Sequence, residues 1–250
     1  MIFLCFSGKE RLTIVRSILY HLKNYGLKVW FDNHEYILGD EKVSNYTKAI
    51  IESKYAIVVY SNNFDESPGA LEELEVIYKR YQEGNIHIFP ILYNILATEV
   101  SIKHIWLCDL IYNELTDKTG SLLTCNQIID KYLTDLIITT NCFSFSMLKN
   151  LLTETNNDTT FLKEMLDAYH NTSQFNINCR VAILYSIFLF VKSRQAMPTL
   201  LEATARYIFN TTKLDINYEF KEIHILESVI ALASNIVFNK SLQEYELLYH

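Results

Sequence analysis

The first half of the chain alternates short apolar segments with longer amphipathic ones, and this alternation restricts the fold more than any other feature. Each short segment is rich in Ile, Val, Leu and aromatic residues, which is typical of strands that are buried on both faces. Parallel strands need long connections that cross the sheet, and the amphipathic segments supply them. The sequence therefore predicts an α/β domain with a five-stranded parallel sheet, whose strands cover residues 2–6, 27–31, 56–60, 86–91 and 104–108.

Helical periodicity replaces the strand pattern beyond about residue 116. A last helix of the first domain ends near Leu136, and clusters of Asn, Thr and Asp then separate further helical segments, as caps and breakers do. We expect two domains, residues 1–139 with the sheet and residues 140–250 as a smaller all-α domain. A helical-repeat array is an alternative for the second domain, although no two of its helices share a motif. Its helices are predicted at residues 144–154, 159–169, 179–193, 198–209 and 220–238.

Composition excludes several classes of protein. A net charge of −7 and a pI near 5.5 argue against binding to a nucleic-acid backbone, which needs clustered Lys and Arg. The 5 cysteines form no CxxC pair, so we expect reduced thiols in a cytoplasmic protein and no metal site. The longest apolar run, residues 181–191, is too short to cross a membrane, and the N-terminus lacks the charged leader of a secretory signal.

Ligands of an open parallel sheet bind beyond the carboxyl ends of its strands, so the residues that follow each strand are candidates. The turn after the first strand contains Gly8 and opens a helix, which suits a phosphate, but no GxGxxG or GxxxxGK[ST] motif is present and an ordinary βα turn explains it as well. The polar loop 32–41 suits a lid, a docking surface or a plain surface loop. Glu72, Glu73 and Glu75 open the helix after the third strand, where acidic residues commonly complement the helix dipole.

The combination of these segments resembles a Toll/interleukin-1 receptor (TIR) domain over roughly residues 2–136, which implies a flavodoxin-like order of elements. The resemblance rests on the strand and turn IFLCFSGKE (2–10), on GLKVWFD (26–32) followed six residues later by Gly39-Asp40, and on AIIESK (49–54) with AIVVYSNNF (56–64). The family usually continues with Trp-Cys, two residues and Glu-Leu, whereas this chain has Gly69-Ala70 and then Leu71-Glu72-Glu73-Leu74. Glu73 thus falls on the family's catalytic glutamate, and the missing Trp-Cys bears on substrate affinity.

The resemblance implies an NAD⁺ nucleosidase of the prokaryotic kind, which breaks the bond between nicotinamide and ribose and takes part in antiphage defence. One carboxylate suits this reaction, because the transition state resembles an oxocarbenium cation and neutral nicotinamide leaves readily. Glu73 is the expected catalytic residue, NAD⁺ is the substrate, and no cofactor or metal is expected. The product is ADP-ribose, a cyclic form or a transferred form. The expected substrate-binding residues are Phe6, Ser7, Gly8, Trp30, Phe31 and Ser61.

Family members often complete their active sites between neighbouring TIR domains, so the resemblance also implies a homo-oligomer. We expect the loop after the second strand to make that contact through Tyr36, Ile37 and Leu38. The helical domain is then the candidate regulatory or oligomerisation module, where a protein or small molecule would act as activator.

Three alternatives stay open at this point. A non-catalytic TIR adaptor would work only by TIR–TIR interaction. A receiver-like domain of the same fold needs acids after the first strand and a phosphorylatable Asp after the third, where Ser7 and Ser61 stand. An enzyme similar to nucleoside deoxyribosyltransferases would also pair a parallel sheet with a glutamate.

Overall fold

The computed structural model describes residues 1–31, 38–39, 41–152, 159–212 and 220–238. These residues form two compact units. The first consists of Met1–Lys23 with Leu27–Cys125, and the second of Asn24–Gly26 with Asn126–His250. The division falls inside one helix, and the domain boundary that we predict between residues 139 and 140 stays a prediction.

The first unit contains a five-stranded, entirely parallel sheet, as predicted. The strand order is β2-β1-β3-β4-β5, with β1 and β3 side by side in the middle of the sheet. The register places Cys5 of β1 opposite Val58 of β3. The strands are β1 (Ile2–Phe6), β2 (Val29–Trp30), β3 (Tyr55–Tyr60), β4 (His87–Tyr93) and β5 (Asn113–Leu115).

The predicted fifth strand at residues 104–108 is wrong. Ile105–Asp109 is a 3₁₀ helix, and the strand that completes the sheet is β5. Trp106 packs its ring on Tyr78 and Tyr81 of a helix, so the apolar residues of this segment cover that helix instead of pairing in the sheet. The true edge strand has only one neighbour and is partly exposed, and its sequence Asn-Glu-Leu therefore lacks the apolar pattern of a buried strand.

Among the described residues of the first unit, three helices connect strands: α1 (Arg16–Asn24), α2 (Lys42–Glu52) and α3 (Pro68–Gln82). Between β1 and α1 the chain makes a 3₁₀ turn and a wide π turn that is interrupted at Thr13. One face of the sheet packs with α2 and α3 in an apolar core that includes Phe3, Cys5 and Trp30. The buried stripe of α3 consists of Ala70, Glu73, Leu74 and Ile77, so a single carboxyl group lies among apolar residues.

The second unit is helical, as predicted. The helix α4 (Leu122–Thr139) enters it from the first unit, and the central helix α9 (Phe220–Phe238) packs against its neighbours on several sides. Within the described residues no helix has both the length and the apolar content that a bilayer crossing needs. The remaining helices are α5 (Leu148–Leu151), α6 (Thr160–Asn171), α7 (Ile177–Lys192) and α8 (Thr199–Thr212).

Candidate active site

A buried carboxylate joins the carboxyl ends of β1 and β3. Glu10, which follows β1, is only 5% exposed. Its Oε1 accepts hydrogen bonds from Ser61 Oγ at 2.8 Å and from Asn63 Nδ2 at 2.7 Å, both in the turn after β3. Thr13 Oγ1 lies 3.4 Å from its Oε2. Glu10 therefore fixes the two turns that flank the centre of the sheet's carboxyl edge.

Glu73, the expected catalytic residue, lies on α3 against the end of β1 and is 8% exposed. Its carboxylate interacts with the Cys5 thiol, which also lies 3.6 Å from the carbonyl oxygen of Ala70. Burial raises the pKa of the Cys5 thiol well above its usual range, and the charge of Glu73 and a hydrogen bond to it act in the same direction. The thiol therefore stays protonated at neutral pH, donates to the carbonyl oxygen of Ala70 and lies beside the carboxylate.

The aromatic residues that we predict for substrate binding lie on two sides of the sheet. Phe6 and Phe31 stack with ring centroids 5.7 Å apart, and the guanidinium of Arg11 lies 5.4 Å and 5.6 Å from their centroids. Trp30 instead stacks on Phe3 at 4.6 Å, in the core beneath α2 and α3. Successive side chains of a strand point to opposite faces of the sheet. Trp30 and Phe31 therefore lie on opposite sides although they are adjacent in sequence.

The small residues of the predicted site differ in their surroundings. Ser7 is buried, and Ser61 is engaged by Glu10. Gly8 is exposed, and a Cβ added there would meet no atom within 4 Å, so packing within the chain does not require glycine. Leu38 is exposed, whereas Tyr36 and Ile37 lie outside the described residues.

The sequence patterns do not predict two polar contacts of this region. One joins Glu10 to the turn after β3, and the other joins Cys5 to Glu73. A signal for the first existed, because Glu10 and Ser61 follow strands that are adjacent in the sheet, and the carboxyl ends of adjacent parallel strands meet. No signal pointed to the second, since a buried cysteine reads as an ordinary core residue.

The first unit of this chain is similar in sequence to known proteins. Residues 2–123 match the family model described as TIR domain. Residues 2–123 form a TIR domain. An NAD(+) hydrolase TcpA of the archaeon Theionarchaea is 30% identical over 99 residues, 40% of this chain and 30% of the relative. The NAD(+) hydrolase TcpC of Escherichia coli is 30% identical over 109 residues, 43% and 35% of the two chains.

A third relative carries a different product in its name. The 2' cyclic ADP-D-ribose synthase BtTIR of Bacteroides thetaiotaomicron is 29% identical over 98 residues, 39% of this chain and 34% of the relative. The matched segment thus spans about a third of the length of these curated relatives. Among solved structures, the TIR domains of the activated Roq1 resistosome align with a TM-score of 0.44 and 24% identity over 52% of this chain and 96% of that one.

The TIR domain departs from the usual sequence of its family at Gly69, where the side chain of Lys42 lies close by. A Cβ at Gly69 would stand 2.6 Å from Nζ of Lys42, the first residue of α2. Tyr46, one turn further along α2, places its hydroxyl 3.4 Å from Oε2 of Glu72. The first turn of α3 thus has a lysine ammonium beside Gly69, at the position where the family usually has an indole.

Two buried thiols of the first unit predict how the stability of the chain depends on pH. Burial raises the pKa of Cys5 and of Cys125 above their usual value of 9.0. Below that value both states of the chain keep these protons, and above it only the unfolded chain loses them. The free energy of unfolding should therefore be level at neutral pH and fall above pH 9 by about 1.4 kcal/mol per pH unit for each thiol.

Urea unfolding of the wild type and of a Cys5→Ala/Cys125→Ala variant between about pH 7 and about pH 10.5 measures this effect. The wild-type curve should be steeper in the alkaline range by about 2.7 kcal/mol per pH unit. Parallel curves would show that the two thiols ionise equally in both states.

Proposed function

We propose that the TIR domain cleaves the nicotinamide–ribose bond of NAD⁺ with Glu73 as the catalytic carboxylate. The observation that carries the proposal is the position of this side chain. It is the only charged member of the buried stripe of α3, and it meets β1 one residue before that strand ends. Ligands of parallel sheets bind beyond this edge.

The environment of Glu73 suits stabilisation of a cation. As the glycosidic bond breaks, positive charge develops on the ribose ring, and a carboxylate beside it lowers the barrier electrostatically. A nearly buried carboxylate interacts with that charge more strongly than a hydrated one, because less water screens it. Nicotinamide leaves as a neutral molecule, so this site needs no second acid.

The thiol of Cys5 and the ammonium of Lys42 have different roles in the proposed site. The protonated thiol lies beside the carboxylate without adding charge. The ammonium beside Gly69 suits the pyrophosphate of the dinucleotide. Phe6, Ser7, Gly8, Phe31 and Ser61 would line the nucleotide side of this site, with Trp30 supporting it from the core.

Three named relatives support the reaction and leave its outcome open, since two are called NAD(+) hydrolases and one a cyclic ADP-ribose synthase. Our proposal includes activation by self-association through residues 36–38, a cytoplasmic role in prokaryotic antiphage defence, and an activator that acts on the helical unit. A product that is hydrolysed, cyclised or transferred follows from whichever nucleophile reaches the ribose carbon.

The test is incubation of the full chain with NAD⁺ or with deoxynucleosides over about a hundred-fold range of protein concentration. We expect nicotinamide release from NAD⁺ at a specific rate that rises with protein concentration, and mass spectrometry identifies the nucleotide product. Cleavage of deoxynucleosides alone would instead indicate a deoxyribosyltransferase. Equal release of nicotinamide by the wild type and by a Glu73→Gln variant would contradict the proposal.

A further inference from the structure

The first unit has a concave site that Glu73 does not line. This pocket, of about 630 Å³, lies between α3 and residues 101–106, and none of the residues predicted for NAD⁺ lines it. Its volume is within the usual range of small-molecule sites. Leu71, Leu74, Glu75 and Tyr78 line it from α3, and they lie about 100–160° around the helix axis from Glu73.

The polar wall of the pocket is held rigidly by four side chains. Asp65 accepts a hydrogen bond from the Tyr60 hydroxyl through Oδ2 at 2.8 Å, and its Oδ1 lies 2.9 Å from Nδ1 of His104. Ser101 Oγ lies 3.2 Å from that ring nitrogen and 3.2 Å from the Tyr60 hydroxyl. Asp65 and Ser101 thus both contact Nδ1 of His104, and Tyr60 contacts both of them.

The opposite wall is aromatic. The ring centroids of Tyr78 and Trp106 lie 4.4 Å apart, and Tyr81 also stacks on Trp106, with centroids 5.9 Å apart. Both Tyr78 and Trp106 line the pocket and are half-buried. Aromatic rings attract cations through the negative charge of their faces, and indole does so most strongly.

The charges of the pocket select among ligands. It contains two carboxylates, Asp65 and Glu75, and the ammonium of Lys103 on an exposed side chain. An anion would meet both carboxylates, and an apolar molecule would remove them from water without compensation. A flat group with several N–H donors and a positive charge can stack on the rings while it donates to the carboxylates.

We propose that this pocket binds a planar organic cation of the guanidinium or amidinium class. The ligand stacks on the aromatic wall that Tyr78 and Trp106 form together, and it donates to the carboxylates of Glu75 and Asp65. The site is independent of the proposed NAD⁺ reaction, because Glu73 is not among the residues that line it.

Benzamidine is the probe that tests this proposal, with benzamide as its neutral isostere and benzoate as its anionic one. The readout is the indole N–H resonance of Trp106 in the full chain, which is distinguished from that of Trp30 with a Trp106→Phe variant. We expect benzamidine to shift the Trp106 resonance, to leave Trp30 unchanged, and to bind at least about ten-fold more tightly than either isostere.

A matched pair of variants tests the role of charge. Glu75→Gln should weaken benzamidine binding by about five- to ten-fold, whereas Glu72→Gln, an exposed residue of α3 outside the pocket, should leave it unchanged. Equal binding of benzamidine and benzamide, equal affinity in both variants, or no shift of Trp106 at about 10 mM probe would each overturn the proposal. None of these readouts depends on NAD⁺ cleavage.

Discussion

Glu73→Gln is expected to slow NAD⁺ cleavage by about 100- to 1000-fold, the usual effect of removing one electrostatic contact to a transition state. Glutamine keeps the shape of the side chain but not its negative charge, so only the stabilisation of the developing cation is lost. The matched control is Glu72→Gln. Glu72 directly precedes Glu73 on α3, is exposed, and has its Oε2 3.4 Å from the hydroxyl of Tyr46. This variant should keep its activity within about three-fold of the wild type.

The same pair of variants separates a catalytic role from a structural one. A buried carboxylate costs desolvation energy, so Glu73→Gln should unfold at the same temperature as the wild type or higher. The Cys5 thiol donates to the carbonyl oxygen of Ala70, and this bond is kept in the variant. Nicotinamide release and thermal unfolding measured on one preparation settle the matter: equal activity of both glutamine variants would remove Glu73 from the reaction.

Sequence pattern predicted the central strands well and the edge strands poorly, for a physical reason. β1 and β3 are buried along their whole length and β4 along most of it, so burial dictates apolar residues and the pattern is nearly continuous. β5 is an edge strand of three residues, and backbone pairing with β4 defines it without an apolar run. Residues 104–108 carried the stronger apolar signal because they cover α3.

The candidate site was predictable where it depends on one element, and unpredictable where it depends on several. Glu73 sits at a fixed place in a helix, so a linear motif locates it. The bonds of Glu10 to the turn after β3 join residues about fifty positions apart, and only the strand order brings them together. The pocket beside Trp106 was missed because its far wall was predicted as a strand of the sheet.

The second large effect is expected at Glu10. Its carboxylate is buried and accepts hydrogen bonds from Ser61 and Asn63 at 2.8 Å and 2.7 Å. Bonds to a charged acceptor are stronger than neutral ones, and Glu10→Ala leaves both donors without it. We therefore expect the free energy of unfolding to fall by about 2–4 kcal/mol, as measured by urea unfolding at neutral pH.

Glu66→Ala is the control for this effect, because it removes the same charge from a nearby surface position. Glu66 pairs with Lys9 at 3.0 Å, with side chains 70% and 62% exposed, so its loss should cost less than about 1 kcal/mol. Glu10→Gln keeps one acceptor oxygen and should fall between the two. If Glu10→Ala and Glu66→Ala lose equal stability, the hydrogen bonds of Glu10 only offset the desolvation of its carboxylate, and the turns after β1 and β3 are held by packing of their backbones instead.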